Sequence, residues 1–101
     1  MDKSIKEKWL TALRSGEFVQ ARRSLRVVRK NGQVAYCVLG VLRFVMDPLD
    51  CTSEDSRGMS LTRTQRDRAD LLPCTCVILT MSNDQRAHSF KRLANYIEQH
   101  L

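Results

Sequence analysis

The chain has 101 residues, 43% of them hydrophobic, and 17 Lys and Arg against 11 Asp and Glu for a net charge of +6. A chain of that length forms one domain and buries roughly two-thirds of its unfolded surface, which excludes a deep multi-domain cleft. The ordinary apolar fraction excludes a disordered polyelectrolyte.

The charge is uneven: residues 1–30 hold nine basic and three acidic side chains, residues 31–60 two and four, and residues 61–101 six and four. A basic surface speeds association with polyanions and with acidic protein faces. Met1-Asp2-Lys3 opens a charged segment and not a secretion signal. The longest apolar run, Val38 to Met46, is too short to cross a bilayer and contains Arg43. A cytoplasmic protein is therefore expected, with Cys37, Cys51, Cys74 and Cys76 as free thiols.

Lys3 to Ser15 is predicted to be a helix, because Ile5, Trp9 and Leu13 recur every four residues while Lys6, Glu7, Lys8 and Arg14 fall elsewhere. Ser4 or Asp2 is placed to cap its start, and Gly16 to end it in the left-handed region. Trp9 belongs in the core. Glu17 to Arg23 reads as a connector, and Ser24 to Tyr36 as a hairpin whose Asn31-Gly32 suits a two-residue type I′ turn. That turn pairs Lys30 with Gln33, Val28 with Ala35 and Val27 with Tyr36. It points Leu25, Val27, Val34 and Tyr36 inward, and Arg26, Val28 and Lys30 outward. Arg29, on the inward side near the tip, keeps its head in water.

Cys37 to Met46 is apolar on every side and reads as a buried central helix, with a central strand as the rival. Gly40 costs such a helix about 1 kcal/mol against Ala, so it marks a close approach of another element. Pro48 stops the segment, and Leu49 to Ser60 lacks periodicity and is expected to be a mobile loop. Thr62 with Gln65 forms a capping box that opens a short polar helix to about Leu71. Cys74 to Met81 fits a helix or a strand. Ser89 caps a final amphipathic helix in which Phe90, Leu93, Ala94, Ile97 and Leu101 share a face. The expected fold class is α+β: one small domain with an N-terminal helix, a basic β-hairpin, a buried central helix and a C-terminal amphipathic helix.

Three stretches carry a resemblance. They are Trp9-Leu10-Thr11-Ala12-Leu13-Arg14-Ser15-Gly16 followed by Gln20, Tyr36-Cys37-Val38-Leu39-Gly40-Val41-Leu42, and Leu79-Thr80-Met81-Ser82-Asn83-Asp84 with Ser89-Phe90 and the terminal Ile97-Glu98. The chain resembles a family of small phage- and prophage-encoded proteins of unknown function. Members of that family usually have a second cysteine where this chain has Val38. The resemblance implies a phage or prophage setting and carries no reaction with it.

Residue chemistry points away from catalysis. A zinc site needs two well-spaced ligand pairs, and Cys74-x-Cys76 is one tight pair with Cys37, Cys51 and His88 scattered around it. A Cys74–His88 or Cys76–His88 nucleophile would need Asp84 to orient it. Asn83-Asp84 suits a turn leading into the last helix, and Glu54-Asp55 a solvated loop. No phosphate loop or nucleophile elbow is present. No enzyme activity, cofactor or metal is expected.

Arg22, Arg23, Arg26, Arg29 and Lys30 cluster on or beside the hairpin and form the candidate binding residues. The expected function is that of a non-enzymatic phage or prophage accessory protein which binds a host protein or complex, to inhibit or redirect it. The alternative is electrostatic nucleic-acid binding by the same hairpin, against which six aromatic residues offer few stacking platforms. A homodimer through a stripe on the last helix is a further possible assembly, and no membrane partner is expected.

Overall fold

The computed structural model describes residues 1–47, 61–86 and 88–101. Among the described residues there are five helices and a small three-stranded sheet, so the class is α+β. Helix α1 (Lys3–Arg14) begins where the Asp2 carboxylate accepts the Ile5 N–H at 2.9 Å, and ends before Gly16, whose φ of +78° turns the chain away. Its apolar stripe buries Trp9, Leu10 and Leu13. The Trp9 indole N–H donates to the Val38 carbonyl at 3.0 Å, which satisfies the one polar atom on a fully buried ring.

The segment expected as a connector contains a strand. β1 (Val19–Gln20) pairs in parallel with β3 (Val34–Tyr36), and β2 (Arg26–Val28) pairs with the other edge of β3 in antiparallel fashion. Two residues in β1 carry no periodicity, so only the tertiary pairing reveals them.

The hairpin exists, but its register differs by one residue from the expected one. Val27 pairs with Ala35 and Arg26 with Tyr36. The loop is Lys30-Asn31-Gly32, closed by Arg29 N–H to the Gln33 carbonyl at 2.8 Å, with Gly32 at φ +83°. Asn31 keeps a negative φ, so the type I′ turn does not form; a three-residue loop with a left-handed glycine takes its place. The Asn31 side chain instead accepts the Gln33 N–H at 3.0 Å. Because a one-residue slip exchanges faces, Ala35 is the buried partner of Val27, while Tyr36 lies on the Arg26 side. There Tyr36 packs edge-on against Phe18 and Phe44, at 5.4 and 5.7 Å between ring centroids.

Helix α2 (Val38–Met46) is the buried central element, with Val38, Leu39, Gly40, Val41 and Leu42 all inaccessible. Cys37 caps it, its Sγ accepting the Gly40 N–H at 3.4 Å. A Cβ at Gly40 would run into the Leu25 carbonyl, so this glycine does mark a close approach, here of the chain entering β2. Pro48 and the expected loop at Leu49 to Ser60 lie outside the described residues.

Helix α3 (Arg63–Ala69) starts at a complete capping box between Thr62 and Gln65 and stops at Asp70, which adopts φ +56°. Pro73 then opens helix α4 (Pro73–Asp84), which resolves the choice at Cys74 to Met81 in favour of a helix. The β-branched Val77 and Ile78 sit on its exposed side, where propensity is outweighed by the packing of Cys76, Leu79 and Asn83. Helix α5 (Phe90–His100) begins at Ser89, whose Oγ accepts the Arg92 N–H, and buries Phe90, Leu93, Ala94 and Ile97. Among the described residues no helix is long and apolar enough to cross a membrane.

Candidate functional site

Asn83 was expected in a turn; it is the last-turn residue of α4 and is completely buried. A buried primary amide costs free energy unless its donors and acceptors are used, and here they are. Its Oδ1 accepts Gln20 Nε2 at 2.8 Å and the Val38 N–H at 3.2 Å. Its Nδ2 donates to the Ala21 carbonyl at 2.9 Å and to Asp84 Oδ1 at 2.7 Å. The Asn83 carbonyl accepts the Arg22 guanidinium. Gln20 Nε2 reaches onward to the His88 carbonyl at 2.7 Å, and Asp84 accepts the Arg23 N–H at 2.8 Å, holding Arg23 at φ +64°. This clasp ties the exit of β1, the start of α2 and the end of α4 together. It also joins all three stretches of the sequence resemblance, through Gln20, Val38 and Asn83.

The five candidate binding residues do not form one patch on the hairpin. Arg29 and Lys30 are exposed at the tip, with Arg29 donating to Gln33 Oε1 at 3.2 Å. Arg26 is 7% exposed, which corrects its expected outward placement: the shifted register puts it on the covered Tyr36 side. Arg22 and Arg23 are exposed at the other end of β2, beside the clasp. The clasp brings that end to the segment from Asn83 to His88, more than 60 positions away in sequence, and the exposed Arg86 and Arg92 flank His88. Burial, then the charges of Arg92 and Arg86, hold the His88 imidazole below its ordinary range.

Two of the described thiols, Cys37 and Cys76, are buried. Burial pushes Cys37 up to about 11 against an ordinary 9.0, outweighing the Gly40 and Leu39 N–H groups that favour the thiolate. Burial raises Cys76 also, with Arg66 opposing and Cys74 adding to the rise. Cys74 is exposed. Cys76 stands eight residues from Asp84 along α4, roughly 12 Å of helix, and the Asp84 carboxylate is engaged by Arg23 and Asn83. The Cys–His–Asp arrangement considered from sequence is therefore not assembled at Asp84. Among the described residues no three His, Cys, Asp or Glu side chains gather as a metal cage; Cys51 and Glu54-Asp55 lie outside those residues.

Helix α4 turns an apolar face outward. Val77, Ile78 and Met81 are 57, 46 and 40% exposed, and Leu72 just before the helix is 66% exposed. Beside them a cleft of about 290 Å³ is lined by Arg66, Pro73, Cys76, Val77, Thr80 and Met81.

The structure thus defines a small α+β domain held by a buried polar clasp, with an apolar helix face and separated basic surfaces. Its sequence places it in a family: residues 1–57 match the domain of unknown function DUF8296, and the chain belongs to that family. The match covers α1, the sheet and α2. No curated protein and no solved structure matches the chain.

Proposed function

We propose that this chain is a phage or prophage accessory protein that acts by binding a host protein or complex in the bacterial cytoplasm, without a reaction of its own. The outward face of α4 carries the reading. Single exposed apolar side chains are normal, whereas Val77, Ile78 and Met81 at helical spacing make a patch on one face of α4. Such a patch, next to a cleft able to take an anchoring side chain, is the physical signature of a protein contact. The setting rests on the resemblance of the Trp9, Tyr36 and Leu79 stretches to small phage proteins. The buried Cys37 thiol, pushed up to about 11, fits a role without nucleophilic chemistry.

The test is affinity capture from nuclease-treated lysate of the bacterial host, with the native chain and with Val77→Asp/Ile78→Asp. A stoichiometric protein held by the native chain and absent from the variant is the expected result. Identical capture by both chains would remove α4 as the contact. Sedimentation of the two chains alone addresses a second copy as the occupant: a native dimer that the substitutions dissociate would replace the host partner with self-association.

A further inference from the structure

The clasp builds a basic surface from two distant segments. Arg23 is held by its N–H on Asp84, two residues before Arg86, and Gln20 holds the His88 carbonyl. From His88 the chain enters α5, where Arg92 and Tyr96 are exposed one turn apart, away from the buried Phe90, Leu93, Ala94 and Ile97. Lys91 is exposed beside Arg92. Tyr96 stacks on His100 at 4.5 Å between centroids with a 33° tilt, leaving it 37% exposed. Asp84 could neutralise this surface only weakly, since it is partly buried and shared between Asn83 and Arg23.

We infer that Arg23, Arg86, His88, Arg92 and Tyr96 form a track for the phosphate backbone of a single-stranded nucleic acid. Guanidinium groups present planar forks that match phosphate oxygens. Arg23, Arg86, Lys91 and Arg92 are all exposed and come from three segments, and several separate cations suit an extended polyanion better than a single carboxylate. A tyrosine at the end of the basic stripe offers a ring face to an unstacked base, which a duplex does not present. This track is separate from the apolar face of α4, and it replaces the hairpin tip as the nucleic-acid contact.

The experiment is fluorescence anisotropy of a labelled oligothymidine with the full chain, titrated from about 50 to about 200 mM salt. Affinity should fall linearly on a log–log plot. Arg86→Glu/Arg92→Glu should weaken binding by about tenfold or more and make the slope shallower by about 1.4, two contacts at about 0.7 each. Tyr96→Ala should cost at least about fivefold. Arg29→Glu/Lys30→Glu at the tip, and Val77→Asp/Ile78→Asp on α4, should stay within about threefold, so loss of this reading and loss of the α4 reading are told apart. Glu at position 92 suits the first turn of α5 electrostatically; if circular dichroism nevertheless shows unfolding, Arg86→Gln/Arg92→Gln serves in its place. Absence of binding at the lowest salt, native affinity in the double variant, or an equal loss from the tip variant would overturn the proposal. So would displacement of the oligonucleotide by polyglutamate at equal charge, which would make the surface one for acidic protein.

Discussion

Helices α2 and α4 are both rich in apolar residues, yet one is sealed and the other is not. α2 lies against α1, β3 and α4, and every residue from Val38 to Leu42 is inaccessible. α4 packs on α2 and α5 through Cys76, Leu79 and Asn83, and leaves Val77, Ile78 and Met81 in solvent. The difference teaches that apolarity permits burial but neighbours decide it. An apolar face left open after the core is complete is available for a partner.

Four measurements sharpen or break that contrast, and the largest effect is expected in α2. Gly40→Ala forces a methyl group into the Leu25 backbone, which cannot rotate away as a side chain would. It should cost about 4–5 kcal/mol, the exceptional end for one substitution, and denaturant unfolding will measure it. A near-native midpoint would mean that α2 and β2 are less tightly apposed than described.

Asn83→Ala probes the buried side of α4. It strands the Val38 N–H and the Ala21 carbonyl and frees Gln20, so a loss of about 3–4 kcal/mol is expected from unfolding curves. Native stability would show that the clasp is not what fastens α4 to the sheet.

The third test uses the cap of α2. Folding raises the Cys37 thiol from 9.0 to about 11, so its contribution is complete below pH 9 and is lost as pH rises through 11. The full loss is about 2–3 kcal/mol at about 1.4 kcal/mol per pH unit. Comparing the native chain with Cys37→Ser over this window isolates it from lysine and tyrosine titration: the gap between the two should narrow or invert as pH rises. Parallel curves would contradict a sealed thiol.

The smallest effect belongs to the open face of α4. Val77→Ala with Ile78→Ala should change stability by no more than about 0.5 kcal/mol per site, because neither side chain fills a cavity. A thermal melt showing a loss as large as that of a core residue would mean that this face is covered in the free protein.

Legibility in the sequence followed the range of the interactions involved. Asp2, Thr62-Gln65 and Ser89 were readable as caps because their hydrogen bonds span three residues. Trp9 and the stripe of α5 were readable because helical periodicity selects a face. β1 was not, since its pairing with β3 is made across 16 positions by two residues. The hairpin register failed by one because Asn31-Gly32 fits both a two- and a three-residue loop, and that slip carried Arg26 inward. Of the candidate binding residues, Arg29 and Lys30 stand at the tip, Arg26 is buried, and Arg22 and Arg23 stand at the clasp, a separation that sequence proximity does not reveal.

What the sequence determined by itself is the set of local elements: where helices start, which of their faces seek a core, and that Gly40 must meet another backbone. These follow from short-range hydrogen bonding, side-chain periodicity and the cost of glycine in a helix. What only the tertiary structure decided is the company those elements keep. Asn83 is a clasp and not a turn because Gln20, Ala21 and Val38 arrive around it. The basic residues divide between the hairpin tip and the clasp because chain crossings, not sequence proximity, determine which charges become neighbours.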